Sequence, residues 1–268
     1  MKYAFMSFSC PDLSLSEMLN LAKQLGYDAV EPRAGSKHVH GIELSCSAAA
    51  RAAIKTTSVK TGIPFSCVAT SCRYADPEAV ADNVADTHQF IDLAADIGAD
   101  KLRVFGGKLG DGLSREAAIA QLVQALREVA DHAGERGVTI CVETHDDWCD
   151  PVHVAAVMQA VNHPNVAVNW DIMHPVRMGL ATMAEAYDML KPWIHYVHIH
   201  DGTTDSGKLT FVPIGAGDID HKQALELLLA DDYGGYLSGE WISWEPHDVH
   251  LPRELATMRQ LETEIGKA

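Results

Sequence analysis

The chain has 268 residues, of which 47% are hydrophobic and 22% charged, proportions that exclude disordered, collagen-like and coiled-coil classes. Its 37 acidic and 21 basic residues leave a formal net charge of −16, with no Lys/Arg run to meet nucleic acid or an anionic membrane surface. A small anionic substrate, which needs only a local positive site, is still compatible with that balance.

The first residues, Met1 to Met6, are apolar but for Lys2 and then give way to a polar stretch, too short for a signal h-region. No stretch approaches the ~20 apolar residues of a membrane span, so a cytoplasmic protein is expected. Tyr3–Ser9 reads as the first strand. The next segment, Ser14–Leu25, carries Leu15, Met18, Leu19, Ala22 and Leu25 at helical spacing, and Ser14 with Glu17 forms a capping-box signature. Ala29–Pro32 is the second strand, followed by a helix that starts near Ser45 or Ser47 and runs through Ile54. After the strand Phe65–Thr70, Pro77 is expected to open a helix whose apolar face continues through Phe90, Ile91 and Ala94. Lys101–Phe105 is the fourth strand. Ser114 leads into a helix with Leu122, Val123, Leu126 and Val129 on one face, and Thr139–Glu143 follows as a strand. Asp150-Pro151 marks another helix start. Val166–Asp171, Tyr196–His200 and Tyr236–Trp241 complete the strands.

Gly26, Gly98, Gly137 and the pair Gly234-Gly235 each stand where a helix ends and a strand begins. Several strands are apolar on both faces, as parallel strands covered by helices must be. Eight β-then-α units without a break in composition predict an α/β fold, a single (β/α)8 TIM barrel that occupies residues 1–268 as one domain. No G-x-G-x-x-G follows a strand, which sets aside a doubly wound sheet. The six cysteines include no C-x-x-C and read as reduced, mostly buried thiols.

In such a barrel, functional side chains project from the C-terminal ends of the strands. Glu143 and His145 stand at the end of the fifth strand, and Asp171 and His174 at the end of the sixth. The seventh contributes His198 and His200, and the eighth Glu240. Alternation points Tyr196, His198 and His200 to one face. The chain has 14 histidines, a high number of the commonest metal ligand. Two glutamates, an aspartate and a histidine converging from consecutive strands suit Mn2+, Mg2+, Co2+ or Zn2+.

The set Glu143, Asp171-x-x-His174, His198-x-x-Asp201 and Glu240 resembles the xylose isomerase-like TIM-barrel superfamily, and within it the sugar phosphate isomerase/epimerase family. The likeness extends over nearly the whole chain, including the turn Gly26–Glu31 and the segment Pro213–Ile219. It implies that Glu143, Asp171, His198 and Glu240 bind one divalent metal, Mn2+ foremost, and that His174 helps hold a substrate oxygen. Many relatives have a lysine where this chain has His200. Either His198 or His200 can be the ligand of the seventh strand; the His-x-x-Asp spacing favours His198 and leaves His200 as an acid/base or supporting group. The resemblance also implies a dimer or tetramer, with a hetero-partner left open.

A metal chelated by a carbonyl and its neighbouring hydroxyl acidifies the proton on the α-carbon and stabilises an enediolate. The resemblance then gives Glu143 and Glu240 the task of taking and returning that proton while ligating the metal. The expected activity is therefore epimerisation or isomerisation of a sugar or related keto-polyol, unphosphorylated for want of a phosphate-binding signature. Further substrate-binding candidates are His145, Glu31, Arg177 and Lys208. Gly106-Gly107-Lys108 can bring backbone close to substrate, and Trp148, Trp170, Trp241 and Trp244 can form an apolar wall or pack in the core. The alternative reading is a lyase on the same scaffold, since the chain also resembles inosose and dehydroshikimate dehydratases and C-glycoside-cleaving subunits. A non-catalytic polyol-binding barrel comes after it. An abasic-site endonuclease, whose three metals call for further histidines on the second and third strands, is disfavoured by the charge.

Overall fold

The helix starts show most directly how this sequence sets its structure. In the computed structural model, which describes residues 1–203 and 209–266, Ser14 caps helix α1 (Leu15–Leu25) in a complete capping box with Glu17. Ser47 caps α2 (Ala48–Thr61), and Ser114 caps α4 (Arg115–Glu135). Asp150 caps α5 (Pro151–Val161) with Pro151 in its first turn, and Thr182 with Glu185 closes a second capping box on α7 (Met183–Leu190). Helices α3 (Val80–Ile97), α6 (Met173–Arg177), α8 (His221–Ala230) and α9 (His247–Ile265) complete the helical layer.

The strands are β1 (Lys2–Met6), β2 (Ala29–Glu31), β3 (Val68–Arg73), β4 (Lys101–Phe105), β5 (Thr139–Glu143), β6 (Val166–Asp171), β7 (Ile194–Ile199), β8 (Asp201–Thr203), β9 (Thr210–Val212) and β10 (Tyr236–Gly239). Eight of them form one parallel sheet in the order β2-β1-β10-β7-β6-β5-β4-β3. Parallel bridges between Val30 and Phe65 and between Arg33 and Ala69 join its two edges, which closes the sheet into a barrel. This is the expected α/β barrel. A large apolar layer lies between the strands and the helices. A separate small cluster, Cys67, Cys141, Ala167 and Tyr196, fills the floor of the lumen.

The departures from expectation are local. The first strand ends at Met6, because Ser7 turns out of the sheet to accept the Arg33 N–H (2.8 Å) on its hydroxyl. The third strand lies three residues later than its apolar run: Phe65 makes only an isolated bridge, while the regular pairing with β4 begins at Val68. Pro77 sits in a turn and α3 starts at Val80, since Asp76 takes the Glu78 N–H (3.0 Å) on its side chain. The antiparallel pair β8–β9, whose short strands carry no alternating pattern, was not foreseen. Among the described residues, no helix is long and apolar enough to cross a membrane.

Candidate metal centre at the barrel mouth

Register places four side chains at one height. Glu143 ends β5 opposite Asn169, Asp171 ends β6 opposite His198, His198 on β7 lies opposite Ser238, and Glu240 follows β10 directly. Each strand is largely apolar and carries its candidate ligand at or beside its C-terminal end; closure of the barrel brings these groups together. All four residues are buried, and one ligand atom from each lies within 4.8 Å of the others. His198 Nδ1 is 3.2 Å from Glu143 Oε1 and 3.1 Å from Glu240 Oε2.

The donor set fits a divalent cation. Asp171 Oδ1 accepts the N–H groups of Met173 (2.9 Å) and His174 (3.2 Å), while its Oδ2 faces His200 Nε2 at 2.9 Å. Glu143 Oε2 is buried against Arg103 Nε at 3.0 Å. Three buried carboxylates crowded within 4.8 Å of one another repel, and a cation among them removes that cost. Three carboxylates and one imidazole are a hard, mixed O/N set of the kind Mn2+, Mg2+, Co2+ or Zn2+ accepts.

Arg103, absent from the sequence reading, lies beside the cluster. It pairs in register with Cys141 in the lumen, and it is fully buried. Its Nε is 3.0 Å from Glu143 Oε2, a second nitrogen is 3.9 Å from Glu240 Oε1, and a third donates to the Thr70 carbonyl (2.8 Å). Burial works against the charge of every group in this cluster. The neighbouring carboxylates outweigh it for Arg103 and His198, so both pKa values rise. Arg103 and His198 outweigh it in turn for Glu143, whose pKa falls below the usual carboxylate range. Glu240 is drawn down to about 2 by His198 and Arg103, against both burial and Glu143. The sequence signal for Arg103 is a charged residue in the middle of the short strand Lys101–Phe105.

Above the four lies a ring of histidines. His200 Nε2 is 2.9 Å from Asp171 Oδ2, and its Nδ1 faces the Glu240 carbonyl at 3.0 Å. His174, in the first turn of α6, has Nε2 3.7 Å from the same Asp171 oxygen and stacks edge-on against both His200 and His145. Burial opposes charge on His145 too, but the ion pair with Asp146 and the field of Glu143 raise its pKa to about 9. Phe211 lies against His200, Trp244 against Phe211, and Trp241 against Trp244.

The remaining candidates separate by position. Glu31 is fully buried behind His198, on the side away from Glu143 and Glu240, rather than on the open side where a substrate hydroxyl would lie. Arg177 closes α6 and is half-buried. Lys208 lies outside the described residues. Trp148 packs over Gly106, where a Cβ would collide with its ring, and donates to the Gly107 carbonyl (2.8 Å). Trp170 packs against Tyr187 of α7, in the layer outside the barrel. Asp201 is not part of the ligand cluster. Its carboxylate accepts N–H groups from Gly202, Gly215, Gly217 and Ile219, and so ties down the segment Pro213–Ile219.

A sequence profile of the family described as xylose isomerase-like TIM barrel matches residues 19–262. The L-ribulose-5-phosphate 3-epimerase UlaE of Salmonella paratyphi B is 26% identical over 235 residues, which cover 84% of this chain and 81% of that protein. The solved structure of an L-ribulose 3-epimerase superimposes with a TM-score of 0.82 at 19% identity, covering 100% of this chain and 96% of the other. That of a D-psicose 3-epimerase superimposes with a TM-score of 0.80 at 16% identity, covering 98% and 99%. At such identities the structural likeness speaks for the fold.

Proposed function

The chain belongs to the xylose isomerase-like TIM-barrel family, and from that premise we propose that it is a sugar epimerase or isomerase working with one divalent metal ion, Mn2+ foremost, held by Glu143, Asp171, His198 and Glu240. The observation that carries this reading is the convergence of those four buried side chains, three of them carboxylates, at the barrel mouth. The likeness to an L-ribulose-5-phosphate 3-epimerase supports the class of reaction.

A divalent ion there would withdraw electron density from a sugar carbonyl and its neighbouring hydroxyl, which acidifies the adjacent C–H. Glu143 and Glu240, both held as carboxylates by Arg103 and His198, then act as the proton carriers. One, as the carboxylate, takes the proton from the α-carbon; the other first takes up a proton from solvent and gives that one to the opposite face, inverting the centre. Return to the neighbouring carbon instead gives aldose–ketose isomerisation. His174 presents its ring to the open side and holds a substrate oxygen. His200, with Nδ1 against the Glu240 carbonyl and Nε2 against Asp171, supports both of those residues and holds a proton beside the reacting oxygens. His145 stays cationic at neutral pH and attracts substrate oxygen to the rim. The substrate is unphosphorylated in this reading, because the two buried arginines are already engaged: Arg33 with the Ala34 carbonyl and Ser71, Arg103 with Glu143 and Thr70.

The test is elemental analysis of protein purified without chelator, wild type beside Glu240→Ala, followed by incubation with keto-sugars, phosphorylated and not, in D2O. About one ion per chain that is lost in the variant, with deuterium entering at the α-carbon, is the expected result. A new ultraviolet chromophore would show elimination and move the protein to the lyases. No ion in the wild type, even after metal is added, would overturn the assignment.

A further inference from the structure

His198 has two ring nitrogens, and they face different partners. Nδ1 looks into the ligand cluster, at 3.2 Å from Glu143 and 3.1 Å from Glu240. On the far side of the ring, Nε2 lies 3.2 Å from Oε1 and 3.1 Å from Oε2 of Glu31. Glu31 comes from the end of β2 and reaches across the lumen to β7. Its own position is fixed: the Tyr196 hydroxyl donates to Oε2 at 3.0 Å and is itself 2.7 Å from the Ser66 hydroxyl. Glu31, Tyr196, Ser66 and His198 are all fully buried, so water does not compete for any of these bonds.

An imidazole can ligate a cation only through a nitrogen that carries no proton, and the other nitrogen must then carry it. A carboxylate with both oxygens against Nε2 accepts that proton's hydrogen bond and offers nothing to a deprotonated Nε2. It therefore selects the tautomer in which the Nδ1 lone pair points at Glu143, Asp171 and Glu240. It also makes the ring a better donor to a cation. We infer that Glu31 is a positioning residue of the metal centre: it fixes the tautomer and orientation of His198 through Nε2–H, with Tyr196 holding it in place, and it does not touch substrate. This role rests on the metal reading above.

The experiment titrates Mn2+ alone into metal-free wild type, Glu31→Gln and Tyr196→Phe, and records the visible spectrum of each protein loaded with Co2+. Glu31→Gln keeps the size of the side chain but loses its charge, and its amide nitrogen can turn toward Nε2 and demand the wrong tautomer. The expected result is Mn2+ affinity about 10- to 100-fold weaker in Glu31→Gln, a smaller loss in Tyr196→Phe, and a Co2+ spectrum altered in position or intensity in Glu31→Gln. Far-ultraviolet circular dichroism matching the wild type separates this from misfolding. Should Glu31→Gln fail to fold, Tyr196→Phe decides by the same two readouts. Tight wild-type binding with unchanged affinity and spectrum in the variants overturns the role of Glu31 alone. A wild type that binds no Mn2+ overturns the metal reading and this role with it.

Discussion

Arg103 is a cation with no access to water, and Glu143 and Glu240 lean on it. Removing one partner of a buried ion pair leaves the other charge uncompensated, which costs about 3–5 kcal/mol. Arg103→Met should therefore lower the unfolding free energy of the metal-free protein by that amount in a urea titration. Saturating Mn2+ should restore part of the loss, since it places positive charge beside the same carboxylates; an unchanged midpoint without metal would show that the pair is not holding the barrel together. A second single-residue effect lies in the loop after β2. His40 is buried, its Nδ1 accepts the Ile42 N–H (3.0 Å), and Nε2 meets the Ser7 hydroxyl (3.2 Å). Protonating Nδ1 would break the first of these bonds, and burial, with a smaller push from His38, lowers the pKa of His40 from 6.5 to about 4. Above pH 6.5 the ring is neutral in both folded and unfolded chains, and stability is unaffected. As the pH falls below 6.5, the unfolded chain binds a proton that the folded chain refuses until about pH 4, so stability drops across that window. At pH 5 the loss should reach about 2 kcal/mol. Unfolding curves of the wild type and His40→Asn between pH 7.5 and 4.5 check it: the wild type should fall more steeply, and parallel curves would contradict the mechanism.

At the level of elements, the segment Pro213–Ile219 is held mainly by one carboxylate, with Glu254 taking the Ile214 N–H (2.7 Å). Asp201 accepts four backbone N–H groups, and Gly217 has to be glycine because a Cβ there would collide with the Asp201 side chain. Each hydrogen bond to a charged group is worth about 1.5–3 kcal/mol, though a shared acceptor makes the sum less than additive. Asp201→Ala should cost at least about 3 kcal/mol and expose the amides of Gly215 and Gly217 to hydrogen exchange, while amides of α1 keep their protection. Loss of protection everywhere would mean that the effect is not local. The same dependence on local chemistry decides which elements were legible beforehand. Ser14 with Glu17 and Asp150 with Pro151 are complete instructions within four residues, and both helices start where these signals stand. Pro77 was misleading because Asp76 offered the backbone a competing turn. The β8–β9 pair had no signal at all: three-residue strands are too short for a period to show, and their pairing is fixed by Asp201 and the glycines that follow.

On the scale of the whole molecule, the barrel concentrates charge in its lumen. Glu31, Glu143, Asp171 and Glu240 bring four carboxylates into one buried space, against Arg103 and the histidines. The mouth was legible because the barrel rule applies to any strand end: Glu143, Asp171, His198 and Glu240 each stand where a side chain must project toward the others. Glu31 and Arg103 were harder to read, because depth within the lumen is set by strand stagger and closure, which no single strand carries. Glu31 ends its strand just as Glu143 does, yet closure turns it behind His198 rather than toward the open side. The excess of buried negative charge leads to the last prediction. A ligand that binds only the folded state stabilises it by an amount set by its concentration relative to its Kd, about 2.7 kcal/mol at 100-fold excess over Kd. For a chain of this size that corresponds to a rise in Tm of roughly 5–10 °C. Adding Mn2+ to metal-free protein should give that rise, a chelator should reverse it, and Glu240→Ala should abolish it, while Arg177→Ala, at a residue that pairs with none of the four ligands, should leave it intact. A rise of equal size in Glu240→Ala would place the stabilising ion elsewhere on this acidic molecule. The barrel mouth would then have to bear its crowded carboxylates through Arg103, His198 and His200 alone.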